Sequence, residues 1–230
     1  MTESRAGRSR RSGNLNDIRL PAFASGSGAG PFVIAIEGPN GAGKTTLTRA
    51  LARKLEVPSC LGTDKAWFSR SFKVQMIRHA EWYASAMFFL SGCFEQMRAL
   101  QKVTRGAVVM DRCLWSTLAV HAATDKARLS ALVKILEPIA RQIRVPQLTI
   151  VLEASFETCQ DRIARKSGTA RELDELTANP GFHERERAFY HWLGAQNKTI
   201  RFLDVNRSGR AEVAQNAFEM VQPVIRANRD

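Results

Sequence analysis

The chain has 230 residues, 44% apolar and 24% charged, which argues against wholesale disorder and fits one globular domain with a tail. Lys and Arg total 34 against 22 Asp and Glu, so the formal charge is +12 and the field favours polyanions, phosphorylated small molecules included. Cysteines 60, 93, 113 and 159 form no CxxC pair, and no apolar run exceeds about five residues against the ~20 of a membrane span, so neither a disulfide framework, a zinc site nor a spanning helix is signalled.

Residues 1–30 hold five Arg against Glu3 and Asp17 and close on the Gly/Ser-rich ASGSGAGP, so they are expected as a flexible basic tail ahead of a folded domain at 31–230. The segment RAGRSRRS supports a rival reading, a nucleotide-switched protein that holds nucleic acid; short basic tails are commonly plain solvated extensions, and nucleic acid is not the expected partner. The N-terminus carries no apolar run of the secretory type, so a reduced cytoplasmic location off the membrane is the expectation.

FVIAI (32–36) predicts a buried strand, and KTTLTRALARKL after it a helix with Leu47, Leu51 and Leu55 on one face. VPSCL is read as the second strand. Met87, Leu90, Phe94, Met97 and Leu100 step by three and four through a helix over 82–103 and are read as its core stripe, with Trp82, Tyr83, Phe88 and Phe89 beside it as pocket candidates. AVVM (107–110) predicts another strand. Leu129, Leu132, Val133, Leu136, Ile139 and Ile143 predict a single helix. The strand LTIVL (148–152), the helix SFETCQDRIARK, the helix HERERAFYHWL, the strand TIRFLD (199–204) and a final amphipathic helix complete an α/β pattern. Apolar strands alternating with helices imply a parallel sheet covered on both faces. Cys60, Cys113 and Cys159 are read as buried small hydrophobes, and the four His carry no specific signal.

Gly38-Pro39-Asn40-Gly41-Ala42-Gly43-Lys44-Thr45 is a full GxxxxGK[ST] match between a predicted strand and a predicted helix. Its glycines let successive N–H groups turn toward phosphate oxygens, Lys44 reaches the β- and γ-phosphates, and the Thr45 hydroxyl suits Mg²⁺. AVVMDR puts Asp111 at a strand end beside that loop, where it orients Mg²⁺ or its waters; a capping role is the plain alternative. Arg112 follows instead of Glu, and neither NKxD nor DxxG occurs, which leaves a small-molecule kinase rather than a motor ATPase or a GTPase. Arg162, Arg165, Lys166 and Arg171 cluster in DRIARKSGTARELDEL, as a closing segment that stabilises the migrating phosphoryl charge requires; a solvated basic helix end is the alternative.

IEGPNGAGKTTL, VVMDRCLWSTLA, IVLEASFETCQDRIARK, FHERERAFYHWL and RFLDVN, in this order over 32–228, resemble the thymidylate kinase and deoxynucleoside kinase branch of the P-loop kinases. The resemblance implies a three-layer fold with a five-stranded parallel sheet, helices on both faces and an Arg-rich lid at about 164–182. It further implies an enzyme using ATP and Mg²⁺, and a homodimer through the long helices. Asn40, Gly41, Ala42, Gly43, Lys44, Thr45 and Thr46, with Arg162 and Asn206, would face ATP; Thr45 and Asp111 would hold Mg²⁺. Arg112 would hold the acceptor end. Asn40 stands where some thymidylate kinases carry a catalytic arginine, so Arg165 and Arg171 would supply that charge.

GTDKAWFSRSF lacks the Arg-Glu-Pro segment with which thymidylate kinases grip the monophosphate, and FFLSGCFEQM lacks their base-reading Arg. Asp64 and Trp67 stand roughly where deoxynucleoside kinases place a carboxylate base and a Trp. The first expectation is phosphoryl transfer to a nucleoside monophosphate, dTMP foremost, with Lys65, Arg70 or Arg78 neutralising its phosphate. The runner-up is transfer to the hydroxyl of a nucleoside or a nucleoside-like molecule, with Asp64 as general base. In either case Phe89 and Cys93 are expected beside the substrate.

Overall fold

The computed structural model describes residues 15–24, 30–61, 69–100, 102–103, 106–166 and 178–227. Asp64, Lys65, Trp67 and Arg171, together with most of the expected lid, lie outside them. In chain order the elements are β1 (Phe32–Glu37), α1 (Lys44–Leu55), β2 (Ser59–Leu61), α2 (Arg70–Arg78), α3 (Trp82–Leu100), β3 (Ala107–Asp111), α4 (Leu114–Thr124), α5 (Lys126–Leu136), a 3-10 turn (Glu137–Gln142), β4 (Leu148–Glu153), α6 (Phe156–Ala164), α7 (Pro180–Gln196), β5 (Ile200–Asp204) and α8 (Arg210–Ala227).

The five strands form one parallel sheet in the order β2-β3-β1-β4-β5. Every residue of β1 and β3 is buried, because helices cover both faces of the sheet centre. Along β1, Val33 and Ala35 point into the layer of α3, α4, α5 and α7, while Ile34 and Ile36 point into the layer of α1 and α8. From β1 the chain goes to β2 and β3 on one side and from β3 it crosses to β4 on the other, so the loops after β1 and β3 diverge at the C-terminal edge and open a crevice there.

Four expectations meet differences. The buried residues of α3 are Ala86, Phe88, Leu90, Gly92, Gln96 and Leu100, whereas Met87 and Phe94 of the expected stripe are each 38% exposed. The reason is that α3 packs against both α2 and α4, with Phe72 and Phe88 meeting edge-on at 5.4 Å, so a single-face period misreads it. The helix begun at Lys126 stops at Leu136, because Pro138 has no N–H to donate and forces the 3-10 turn; Ile143 stays buried beyond it. Residues 15–24, inside the expected tail, pack on the domain: Ile18 is buried, the Phe23 ring meets Trp115 edge-on at 5.6 Å, and Ala24 pairs with Ile143 and Val145 through the backbone. Cys60, on edge strand β2, is half-buried.

Candidate functional site

The loop between β1 and α1 is shaped by glycines that nothing else can replace. Gly38 (φ 124°) and Gly41 (φ 85°) adopt left-handed geometry, and a Cβ would stand 2.6 Å from the Leu152 carbonyl oxygen in the first case and 2.5 Å from that of Cys159 in the second. Gly43 caps α1 without any side-chain hydrogen bond, so the first N–H groups of the helix remain open to an anion. Lys44 is buried, and its Nζ donates to the carbonyls of Gly38 (2.7 Å) and Pro39 (2.5 Å). Desolvation, helped by the Arg112 charge, lowers its pKa to about 8.

Register places Asp111 opposite Ile36, one strand over from the start of that loop. Its Oδ2 accepts from Thr45 Oγ1 at 2.5 Å, and its buried Oδ1 has no hydrogen-bond partner. An orphaned carboxylate oxygen beside a hydroxyl is the donor set a hard divalent cation takes, so these residues fit Mg²⁺. Arg112 takes a left-handed φ of 70°, fixed by its N–H to the Ile36 carbonyl, and its guanidinium donates to Asn40 Oδ1 and to Ser116 Oγ (3.0 Å).

Beneath them lies Glu37, fully buried at the end of β1. It accepts from the N–H groups of Cys113 (2.8 Å) and Ser116 (3.2 Å), from Ser116 Oγ and from Tyr190 Oη (3.0 Å). Cys113, the N-cap of α4, offers that helix no side-chain cap; Glu37 supplies one from another strand. Glu186 on α7 is 4% exposed and lines the cleft, yet it accepts no hydrogen bond from a described residue. Burial raises its carboxyl above the usual range, against the pull of Lys44 and Arg112.

These groups floor a cleft of about 1680 Å³. On one side Arg162 ties the loop to the sheet, donating to the carbonyls of Ala42 (3.0 Å) and Val205 (2.7 Å), with Arg165 and Lys166 beyond it in the cleft wall. On the other side α3 presents Trp82, Ser85, Phe89, Cys93 and Gln96, and α4 faces them with Thr117 and His121. His121 is 5% exposed, its Nδ1 has no partner, and its ring meets Trp82 edge-on at 5.9 Å. Burial, aided by the Arg128 charge, lowers its pKa to about 4, so the ring is neutral at physiological pH. Burial also pushes the Cys93 thiol up to about 12, so it is an apolar wall rather than a nucleophile.

The structure therefore brings together Asn40, Gly41, Ala42, Gly43, Lys44, Thr45, Thr46, Asp111, Arg112, Arg162, Arg165, Phe89 and Cys93 from the sequence expectations. Asn206 stands in the turn after β5, where its Oδ1 accepts from Ser155 N (2.6 Å) and its amide donates to Asp204, between Val205 and Ser208 of the cleft wall. Arg78 closes α2 between Ile77 and Ala80 of the cleft wall, and Tyr83 is exposed. Of Arg70 only the backbone, in the first turn of α2, is described. Sequence reasoning missed Glu37, Glu186, Gln96 and His121; the one signal available was the lone charge closing the apolar run FVIAIE.

The family model for deoxynucleoside kinase matches residues 34–226. The fold is similar to that of a thymidylate kinase from Candida albicans (19% identity, 86% of this chain and 93% of that chain covered, TM-score 0.70). It is also similar to a deoxyadenosine kinase from M. mycoides with bound dATP (14% identity, 82% and 98% covered, TM-score 0.64) and to the same enzyme with bound products (16%, 83% and 99%, TM-score 0.65). Among proteins of curated function none matches the chain.

Proposed function

Since this chain belongs to the deoxynucleoside kinase family and is a phosphotransferase of nucleosides or nucleotides, we propose that it transfers the γ-phosphoryl group of ATP to the 5′-hydroxyl of a nucleoside, with ADP leaving and Asp64 taking the hydroxyl proton. The observation that carries this reading is the cleft itself: phosphate loop, Asp111 and Arg112 at one end, and at the other the group Trp82, Phe89, Cys93 and Gln96, aromatic and amide-bearing as a flat heterocycle requires.

Open N–H groups at the start of α1 bind the β-phosphate, and Lys44 exchanges the Gly38 and Pro39 carbonyls for phosphate oxygens. Thr45 and Asp111 would hold Mg²⁺, which when bound would supply charge neutralisation for the phosphates. Arg112, already oriented by Asn40 and Ser116, meets the equatorial charge of the migrating group from the acceptor side, and Arg165 does so from the lid side. The cleft walls exclude water, which matters because a water in place of the acceptor hydrolyses ATP.

The second reading, a nucleoside monophosphate acceptor, is favoured by Lys73 and Arg128, cations in the acceptor-side wall. ADP release with Mg-ATP and a panel of nucleosides and their monophosphates separates the two. Turnover with nucleosides is expected; turnover confined to monophosphates would move the enzyme to the second reading. Lys44→Ala is expected to lower kcat by about two to four orders of magnitude with the fold intact, and retained activity would remove Lys44 from the site.

A further inference from the structure

Among the described charged groups at the junction of the two cleft halves, Lys44, Arg112 and Glu37 have their hydrogen bonds made; Asp111 keeps one oxygen open, beside Thr45, and Glu186 accepts none. Lys44 is held by two carbonyls, Arg112 by Asn40 and Ser116, Glu37 by Cys113, Ser116 and Tyr190. Glu186 is 96% buried and accepts none from a described residue, although its carboxylate faces the cleft. Its position follows from α7: it lies one turn before Tyr190 on the same face, and Tyr190 grips Glu37, which positions Arg112 through Ser116. Glu186 thereby lines the same cleft as Lys44 and Arg112, within the electrostatic reach of both and of Glu37.

Glu186 lines the cleft and takes no hydrogen bond from a described residue, so its donors are what enters the cleft, water or substrate. A hydroxyl supplies one. A phosphate dianion supplies none and brings like charge into a desolvated pocket, where repulsion is weakly screened. We propose that Glu186 is a specificity-determining residue: its carboxylate accepts the hydrogen bond of a hydroxyl acceptor and excludes an acceptor that already carries a phosphate there. The same repulsion hastens departure of the monophosphate product. The inference rests on the nucleoside reading above and adds to it the residue that enforces the choice.

The test measures, on the full chain, KM for the best nucleoside of the panel, the inhibition constant of the corresponding monophosphate, and the Kd of Mg-ATP by calorimetry, for native protein, Glu186→Gln and Glu186→Asp. In Glu186→Gln the monophosphate should inhibit at least about tenfold more tightly, nucleoside KM should rise several-fold, and ATP should bind no more weakly. Glu186→Asp keeps the charge and should keep the native inhibition constant; it also decides the matter where Glu186→Gln does not fold, since a shift of that constant in the Asp variant would then count against the proposal. An unchanged inhibition constant in Glu186→Gln would overturn it, as would parallel weakening of ATP and nucleoside, which would make Glu186 a support for Lys44 and Arg112 only. If native protein turns over monophosphates, it is the nucleoside reading that fails; if it turns over nucleosides and Glu186→Gln discriminates as the native enzyme does, the Glu186 assignment alone fails.

Discussion

His121 shows how much a single buried side chain can report. Its pKa falls from 6.5 to about 4 because burial and Arg128 both disfavour the cation. The folded-state value lies below the unfolded one, so the unfolded chain binds the proton first as pH drops. The stabilisation is complete above about pH 6.5 and is lost as pH falls toward 4, by up to about 3 kcal/mol. His121→Phe removes the proton site, so the stability of the variant relative to native protein should grow as pH is lowered from 7 to 4.5. Urea midpoints at pH 7, 5.5 and 4.5 measure this, and a constant gap between the two proteins would contradict it. None of this was legible in AVHAAT, where a lone His in an alanine-rich stretch has no periodic signature; its neighbours Trp82 and Arg128 come from other helices.

Among elements, α4 is the one that organises the site, and periodicity did not find it. Nine of its eleven residues are buried, so it has no polar face and no helical moment to read. Its N-terminus is held by Glu37, a residue of β1, and not by its own N-cap Cys113. Removing that carboxylate takes the acceptor from the Cys113 amide, the Ser116 hydroxyl and the Tyr190 hydroxyl in the core and removes the negative charge facing Arg112. Glu37→Ala is therefore expected to cost about 3–5 kcal/mol, read as a lowered denaturation midpoint at unchanged m-value. Loss of less than about 1 kcal/mol would show that water or repacking replaces the cap. The reverse error occurred at α5, where Ile139 and Ile143 keep the apolar rhythm past Pro138: the 3-10 turn holds Ile143 in the core, so the pattern continued after the helix had ended.

At the scale of the molecule, the domain begins before its first strand. Ile18, at 7% exposure, and Phe23 pack on the α4 and α5 layer, and Ala24 closes a backbone bridge beside β4. Ile18→Ala should cost about 2–4 kcal/mol, and a chain starting at residue 25 should lose more, seen as a lower Tm with ATP affinity retained up to the new melting point. An unchanged Tm would return residues 15–24 to the tail. That segment was obscured by its basic, Gly/Ser-rich surroundings, in which two isolated hydrophobes carry little weight. By itself the sequence determined the alternation of strands and helices, hence the parallel sheet, and the phosphate loop, because the loop's function resides in eight contiguous residues and their own backbone amides. Asp111 was legible as a strand end, but its bond to Thr45, 66 residues away, was not. The tertiary structure alone decided the roles open to Glu37, His121 and Glu186, since a buried polar residue is defined by the partners around it. Those partners stand as far apart as Tyr190 and Glu37, 153 residues along the chain.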